Sequence, residues 1–346
     1  MIYERIYESV LLPRLVRLTP NLYGACFQLM KLMPAKHILE NAWERGGLDS
    51  GTTVVETTSG TFGLALAMIC NIHGWPLKLV SDPIIDATFM RRLVDLGASI
   101  DIVRDSRGAG GIQQARLARL AEITAAEPRS FCPSQYSNPD NPESYRRLAD
   151  FLTDSLGRID CLVGPVGSGG SMCGTTACLR ERCPDTAAVG VDTFGSVIFG
   201  QPDGPRLVRG LGNSIMPDNV VHSTFDQVHW IDAATTFDAT RLLHRQHSLF
   251  MGPTSGAAFL AARWWSAGHP WATTVVLFPD EGNRYLGTVY DDAWLHSLRI
   301  VRGTAGTAAP VEVSQPAEKT SGWAYLDWGR RSYGQVVPLE AGGERP

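Results

Sequence analysis

The chain has 346 residues, enough to bury one large core or two moderate ones. With 44% hydrophobic and 19% charged residues it is not a wholly disordered chain, and its formal net charge of −4 gives no electrostatic reason to bind nucleic acid. No apolar run approaches the roughly 18 residues that would span a membrane, and the acidic start MIYERIYESV lacks the apolar stretch of a secretory signal. The seven cysteines are odd in number and several sit in apolar runs, which reads as reduced thiols in a cytoplasmic protein. Cys173, Cys178 and Cys183 recur too widely for a zinc knuckle, so no metal is expected.

In chain order, residues 53–57 (TVVET) predict a short β-branched strand, and the turn SGTFG leads into an apolar helix, LALAMICNIHG. PLKLVSD is the next strand, DATFMRRLVDLGA a helix closed by a glycine, SIDIV a strand and IQQARLARLAEITAAEP a helix. A second series runs IDCLVGPVG strand, GTTACLRERC helix and AAVGVD strand. TTFDATRLLHRQHSLF and SGAAFLAARWWSAG follow as helices, and ATTVVLFPD as a strand. Strand–helix alternation of this length predicts βαβ units on mostly parallel sheets and an α/β fold of two lobes. Residues 1–45 with 146–300 are expected to form the larger lobe and residues 46–145 the smaller. Residues 301–346 are expected to be a disordered linker and a tail, WAYLDWGRRSYGQVVPLE, that hooks onto the body or a partner subunit.

Only four of the 31 basic residues are lysines, and two of them, Lys31 and Lys36, lie in the segment LMKLMPAKHIL. Either alone would read as a lysine snorkelling from a Leu/Met-rich helix. Lys31, however, is flanked by Leu29, Met30, Leu32 and Met33, and apolar surroundings favour the neutral amine that attacks a carbonyl. Lys78 lies in a predicted strand and Lys319 in the linker.

The turn Thr58-Ser59-Gly60-Thr61 opens a helix and suits a carboxylate, although an ordinary helix cap looks the same. Gly164-Pro165-Val166-Gly167-Ser168-Gly169-Gly170-Ser171 is more specific, because such glycine density lets a backbone close around an anion. It lacks the Gly-Lys-Ser ending of a nucleotide P-loop and the order of a dinucleotide fingerprint. A third turn, Gly252-Pro253-Thr254-Ser255-Gly256, offers a neutral hydroxyl that could meet a pyridine nitrogen. A reactive lysine combined with phosphate-cradling turns points to pyridoxal 5′-phosphate as cofactor.

The segments PRLVRL, ETTSGTFG, QYSNPDNPESY, GPVGSGG, GPTSGAA and FPDEGNRYL resemble those of the fold type II pyridoxal phosphate enzymes, in the cysteine synthase and cystathionine β-synthase group. KLMPAKHILE, VDTFGSVIFG and YLGTVYDDAW are similar to segments of the N-(2-amino-2-carboxyethyl)-L-glutamate synthase-like proteins within it. The resemblance implies a tryptophan synthase β-like fold of two parallel-sheet lobes with the cofactor between them, and a homodimer acting on small amino-acid substrates. It implies β-replacement on O-phospho-L-serine or O-acetyl-L-serine through an aminoacrylate, with an amine such as L-glutamate as nucleophile. The alternatives are sulfide, as in a cysteine synthase, or a catalytically inactive binding protein on the same scaffold. By the same resemblance Lys31 is the Schiff-base lysine, and Thr58, Ser59, Gly60 and Gln135 bind the substrate carboxylate. Thr61 stands where the family has an asparagine near the cofactor. Gly167, Ser168, Gly169, Gly170 and Ser171 hold the cofactor phosphate, Ser255 meets the ring nitrogen, and Ser196 and Arg209, with Arg206, line the substrate entrance.

Overall fold

The computed structural model describes residues 2–58, 60–104, 111–300, 303, 305–306 and 308–337. Its strands in chain order are β1 (Arg14–Thr19), β2 (Leu22–Cys26), β3 (Thr53–Thr57), β4 (Leu77–Ser81), β5 (Ala98–Ile102) and β6 (Ser130–Phe131). They continue with β7 (Cys161–Pro165), β8 (Ala187–Asp192), β9 (Gln227–Ile231), β10 (Thr274–Phe278), β11 (Val311–Glu312) and β12 (Trp323–Asp327). The chain divides into two compact units, Met1–Leu11 with Leu29–Ser144, and Leu12–Gln28 with Tyr145–Pro346.

The first unit is built on a four-stranded sheet of order β5-β4-β3-β6, parallel throughout. Its central strands are buried along most of their length because helices follow them: Thr61–His73 after β3, Ala87–Asp95 after β4 and Gly111–Ala126 after β5. Asp86 caps the second of these, its side chain accepting the Phe89 N–H at 2.8 Å. Val55, Val80, Leu120 and Ile123 close the core beneath the Gly111–Ala126 helix. Helix Leu32–Glu44 buries Leu32, Ala35, Ile38, Leu39 and Ala42, a helical stripe that packs against Thr61–His73. That packing corrects the expected grouping: residues 29–45 belong with the first unit, and only Leu12–Gln28 of the N-terminal region joins the second.

The second unit carries an eight-stranded sheet of order β1-β2-β10-β7-β8-β9-β12-β11. Strands β2, β10, β7, β8 and β9 run parallel, while β1 and β12 pair antiparallel with β2 and β9. Helix Pro253–Gly268 lies against β10, β7 and β8 and is buried along most of its length. It also packs on helix Ala233–His247, and the approach requires Gly256: a Cβ there would lie 2.1 Å from Thr240 Oγ1. No helix among the described residues is long and apolar enough to cross a membrane.

The region expected to be a structureless linker is instead tied down at its described residues. The buried Asp238 carboxylate accepts the N–H groups of Gly303 at 3.0 Å and Ala305 at 2.8 Å. Further on, β11 pairs with β12, and β12 extends the main sheet along β9. Trp323 of β12 donates its indole N–H to His229 Nδ1 at 3.0 Å, and burial pushes that histidine down to about 3, so it stays neutral and able to accept. The tail is therefore an edge element of this chain's own fold. Trp323→Ala should lower stability by about 3–5 kcal/mol, and a urea unfolding midpoint unchanged from wild type would show that the tail is only loosely attached.

Candidate functional site

In the first unit, Lys31 forms the N-cap of helix Leu32–Glu44 and is half-buried, while its neighbours Leu29, Met30, Leu32 and Met33 are all buried. Burial among them lowers its amine to about 8, against the opposing pull of the Glu56 carboxylate. Lys36, one helical turn on, is engaged by Glu40 at 2.5 Å, and Lys78 is paired with Glu127. Lys319 is exposed.

At the carboxyl end of β3 the chain enters helix Thr61–His73 through Gly60, which places no side-chain cap on the helix. Gly60 itself supplies no side-chain acceptor to the N–H groups of the first turn, the kind of helix start at which a carboxylate can bind. Thr58 Oγ1 accepts the Gly60 N–H at 3.0 Å, shaping the turn. Gln135 is buried close by, its Nε2 donating to Thr57 O at 3.4 Å. Thr58, Gly60, Thr61 and Gln135 are therefore grouped at one strand end; Ser59 lies outside the described residues. Glu56, which the sequence reading passed over as a strand residue, sits at the same place. Its carboxyl is raised to about 7 by burial, although backbone N–H groups of Thr57 and Gln135 bond it.

In the second unit, Gly167–Ser171 join β7 to helix Gly170–Arg182. Gly169 is left-handed at φ 85°, and a Cβ there would lie 2.6 Å from Asn219 O; at Gly167 a Cβ would lie 3.0 Å from Gly210 O. The turn is thus packed against backbone on its inner side, and its helix again begins on a glycine with no side-chain cap. This is a second helix start whose N-cap residue offers no side-chain acceptor. Ser255, in the first turn of helix Pro253–Gly268, is fully buried, and its hydroxyl has no hydrogen-bond partner among the described residues. An orphaned buried hydroxyl is costly unless something completes it.

The expected entrance residues divide. Ser196 is fully buried and its Oγ accepts the Asn213 N–H at 3.0 Å. It also bonds Asp192, whose carboxyl burial raises to about 7. Arg206 is bound to the Gly195 carbonyl, to Asp203 at 3.1 Å and to Ser214 Oγ at 2.5 Å. Both are committed to holding their own loop. Arg209 is half-buried, and its charge acts on the phenol of half-buried Tyr285, as does that of Arg284. That phenol donates to Asp280 at 2.7 Å, and burial raises the Asp280 carboxyl to about 6. Elsewhere, His37, Asp140 and Glu143 bring ligand atoms within 4.8 Å of one another, but Arg45 already pairs with Asp140 at 3.2 Å.

Residues 30–280 match the model of the family described as pyridoxal-phosphate dependent enzyme. The chain is 35% identical over 286 residues to the N-(2-amino-2-carboxyethyl)-L-glutamate synthase of Cupriavidus metallidurans, covering 81% of this chain and 84% of the relative. It is 36% identical over 283 residues to the enzyme of the same name from Ralstonia nicotianae, covering 81% and 83%. The crystal structure of the O-acetylserine dependent cystathionine beta-synthase from Helicobacter pylori aligns with a TM-score of 0.75 and 27% identity, over 83% of this chain and 98% of that one. The lowered Lys31 amine gives a direct test: modification by an amine-specific reagent, followed by peptide mass spectrometry, should rise with pH about a midpoint near 8. The group is protonated and unreactive below that midpoint, so a midpoint near 10 would mean that its surroundings are not apolar.

Proposed function

Because this chain belongs to the pyridoxal-phosphate dependent enzymes, we propose that it catalyses β-replacement on a β-activated L-serine, with an amine or amino-acid nucleophile such as L-glutamate. The observation that carries this reading is the buried Ser255 hydroxyl, which has no partner among the described residues. A neutral hydroxyl completes a pyridine nitrogen without protonating it, which favours loss and replacement of a β-substituent over transamination. When bound, pyridoxal phosphate supplies the electron sink for the pair released at the substrate's α-carbon.

The residues fit that group. Gly167, Ser168, Gly169, Gly170 and Ser171 would hold its phosphate through the uncapped helix start, and Ser255 would donate to its ring nitrogen. Lys31 would anchor it covalently and, once displaced by substrate, carry the proton to and from the α-carbon. An amine lowered to about 8 suits that work near neutral pH. Thr58, Ser59, Gly60 and Gln135 would bind the substrate carboxylate, with Thr61 directed to the cofactor. Phosphate or acetate would leave the β-carbon after Lys31 has taken the α-proton; the incoming amine would then add at that carbon, Lys31 would return the proton to the α-carbon, and the amine would release one proton.

L-Glutamate brings two carboxylates of its own, and Arg209 and Arg284 are the cations offered for them. Ser196 and Arg206 are read as supports of that loop, since their polar atoms are spent within it. The names of the two relatives at 35% and 36% identity support the amino-acid nucleophile. The same reading makes the protein a cytoplasmic homodimer that supplies a 2,3-diaminopropionate precursor in specialised metabolism; its seven free cysteines are consistent with a reducing compartment.

Two measurements test this. O-phospho-L-serine and O-acetyl-L-serine are each incubated with L-glutamate, other amines or sulfide, and products are read by mass. An amine adduct is expected; rapid cysteine formation without one would replace the reading by cysteine synthase. In titrations of cofactor-free protein, Ser255→Ala should weaken pyridoxal phosphate binding about 3- to 10-fold, the value of one hydrogen bond. Equal affinity would remove Ser255 from the site.

A further inference from the structure

Glu56 has no place in the roles above, yet its carboxylate connects the segments that carry them. It is 1% exposed, at the carboxyl end of β3. Oε1 accepts the Thr57 N–H at 2.7 Å, Oε2 accepts the Gln135 N–H at 3.2 Å, and the Ser134 N–H bonds the same group. Thr57 leads directly into the Thr58–Thr61 turn, whereas Ser134 and Gln135 lie in the loop after β6, nearly eighty positions away in sequence. Hydrogen bonds to an ionised carboxylate are about twice as strong as neutral ones, so this group fixes the spacing of the two segments more firmly than an uncharged side chain would.

We propose that Glu56 is a positioning residue that fastens the Gln135 loop to the Thr58–Thr61 turn. The proposal deepens the reading given under Proposed function and rests on it for what the turn binds. A preset row of donors favours a bound carboxylate because the protein need not order them at the moment of binding.

Among the described residues, two neighbours bear on the carboxylate's charge. Arg116, from helix Gly111–Ala126, favours its ionised form while bonding Asp82 at 2.6 Å and Thr57 Oγ1 at 2.9 Å. The Cys132 thiol is held up to about 12, by burial first and by Glu56 second, and stays neutral. Burial lifts Glu56 itself to about 7, so above that pH it is anionic and raises the Lys31 amine. Removing its charge therefore lowers the pH at which Lys31 becomes a free amine.

The test uses full-length, cofactor-free protein and two readouts: the pH midpoint of Lys31 modification, and hydrogen exchange at the Thr57 and Gln135 amides. In Glu56→Gln one acceptor oxygen is replaced by an NH2 group that faces a backbone N–H. The midpoint should fall to about 7 or below, and exchange should quicken at least about tenfold, as expected for losing a charge-assisted bond. Glu56→Asp keeps the charge but is one methylene short. Exchange should quicken while the midpoint stays near that of wild type. Unchanged exchange in either variant, or equal midpoint shifts in both, overturns the proposal. If Glu56→Gln does not fold, exchange in Glu56→Asp decides alone. Neither readout needs cofactor or substrate, so a failure here is separate from a failure of wild-type protein to take up pyridoxal phosphate.

Discussion

Lys31 carries an amine in surroundings that favour its uncharged form, and this opposition between burial and charge organises the first unit. The apolar stripe of helix Leu32–Glu44 has to be buried, and burying it brings the start of the helix, with Lys31, into the interior. Glu56 moderates the cost of that placement by supplying the opposite charge, while backbone N–H groups offset its own burial. Lys36, by contrast, is engaged by the Glu40 carboxylate on the same helix.

The second unit works through unfilled hydrogen-bonding capacity. The N-cap Gly169 of helix Gly170–Arg182 supplies no side-chain cap, and the Ser255 hydroxyl has no partner among the described residues. Buried polar groups ordinarily find partners. In the proposed function, a ligand with an anionic end and a ring acceptor would complete both. The rest of the unit is arranged to hold these groups still: the Ser196–Asp192 contact and the Arg206 bonds stiffen the loop after β8, and the tail strand β12 covers the β9 edge.

Much of this was legible from the residues. The strand–helix alternation, the glycine turns at the strand ends and the apolar flanks of Lys31 are local patterns, and local backbone rules decide them. The turns at Gly60 and Gly169 open helices as expected. The tail was less readable. WAYLDWG has strand-forming residues, but nothing in its own sequence says that its partner is β9, or that Trp323 will donate to His229.

By itself the sequence determined the α/β class and the strand–helix units built on mostly parallel sheets, because each depends on residues adjacent in the chain. Tertiary structure alone decided that residues 29–45 join the first unit, since the apolar face of a helix does not specify what will cover it. It alone decided that Ser196 and Arg206 are spent within their own loop, and that Glu56 joins the Thr57 and Gln135 segments. Those outcomes depend on which distant N–H and C=O groups meet a given side chain, and that is set only when β3 and β6 pair and the loops after them are placed.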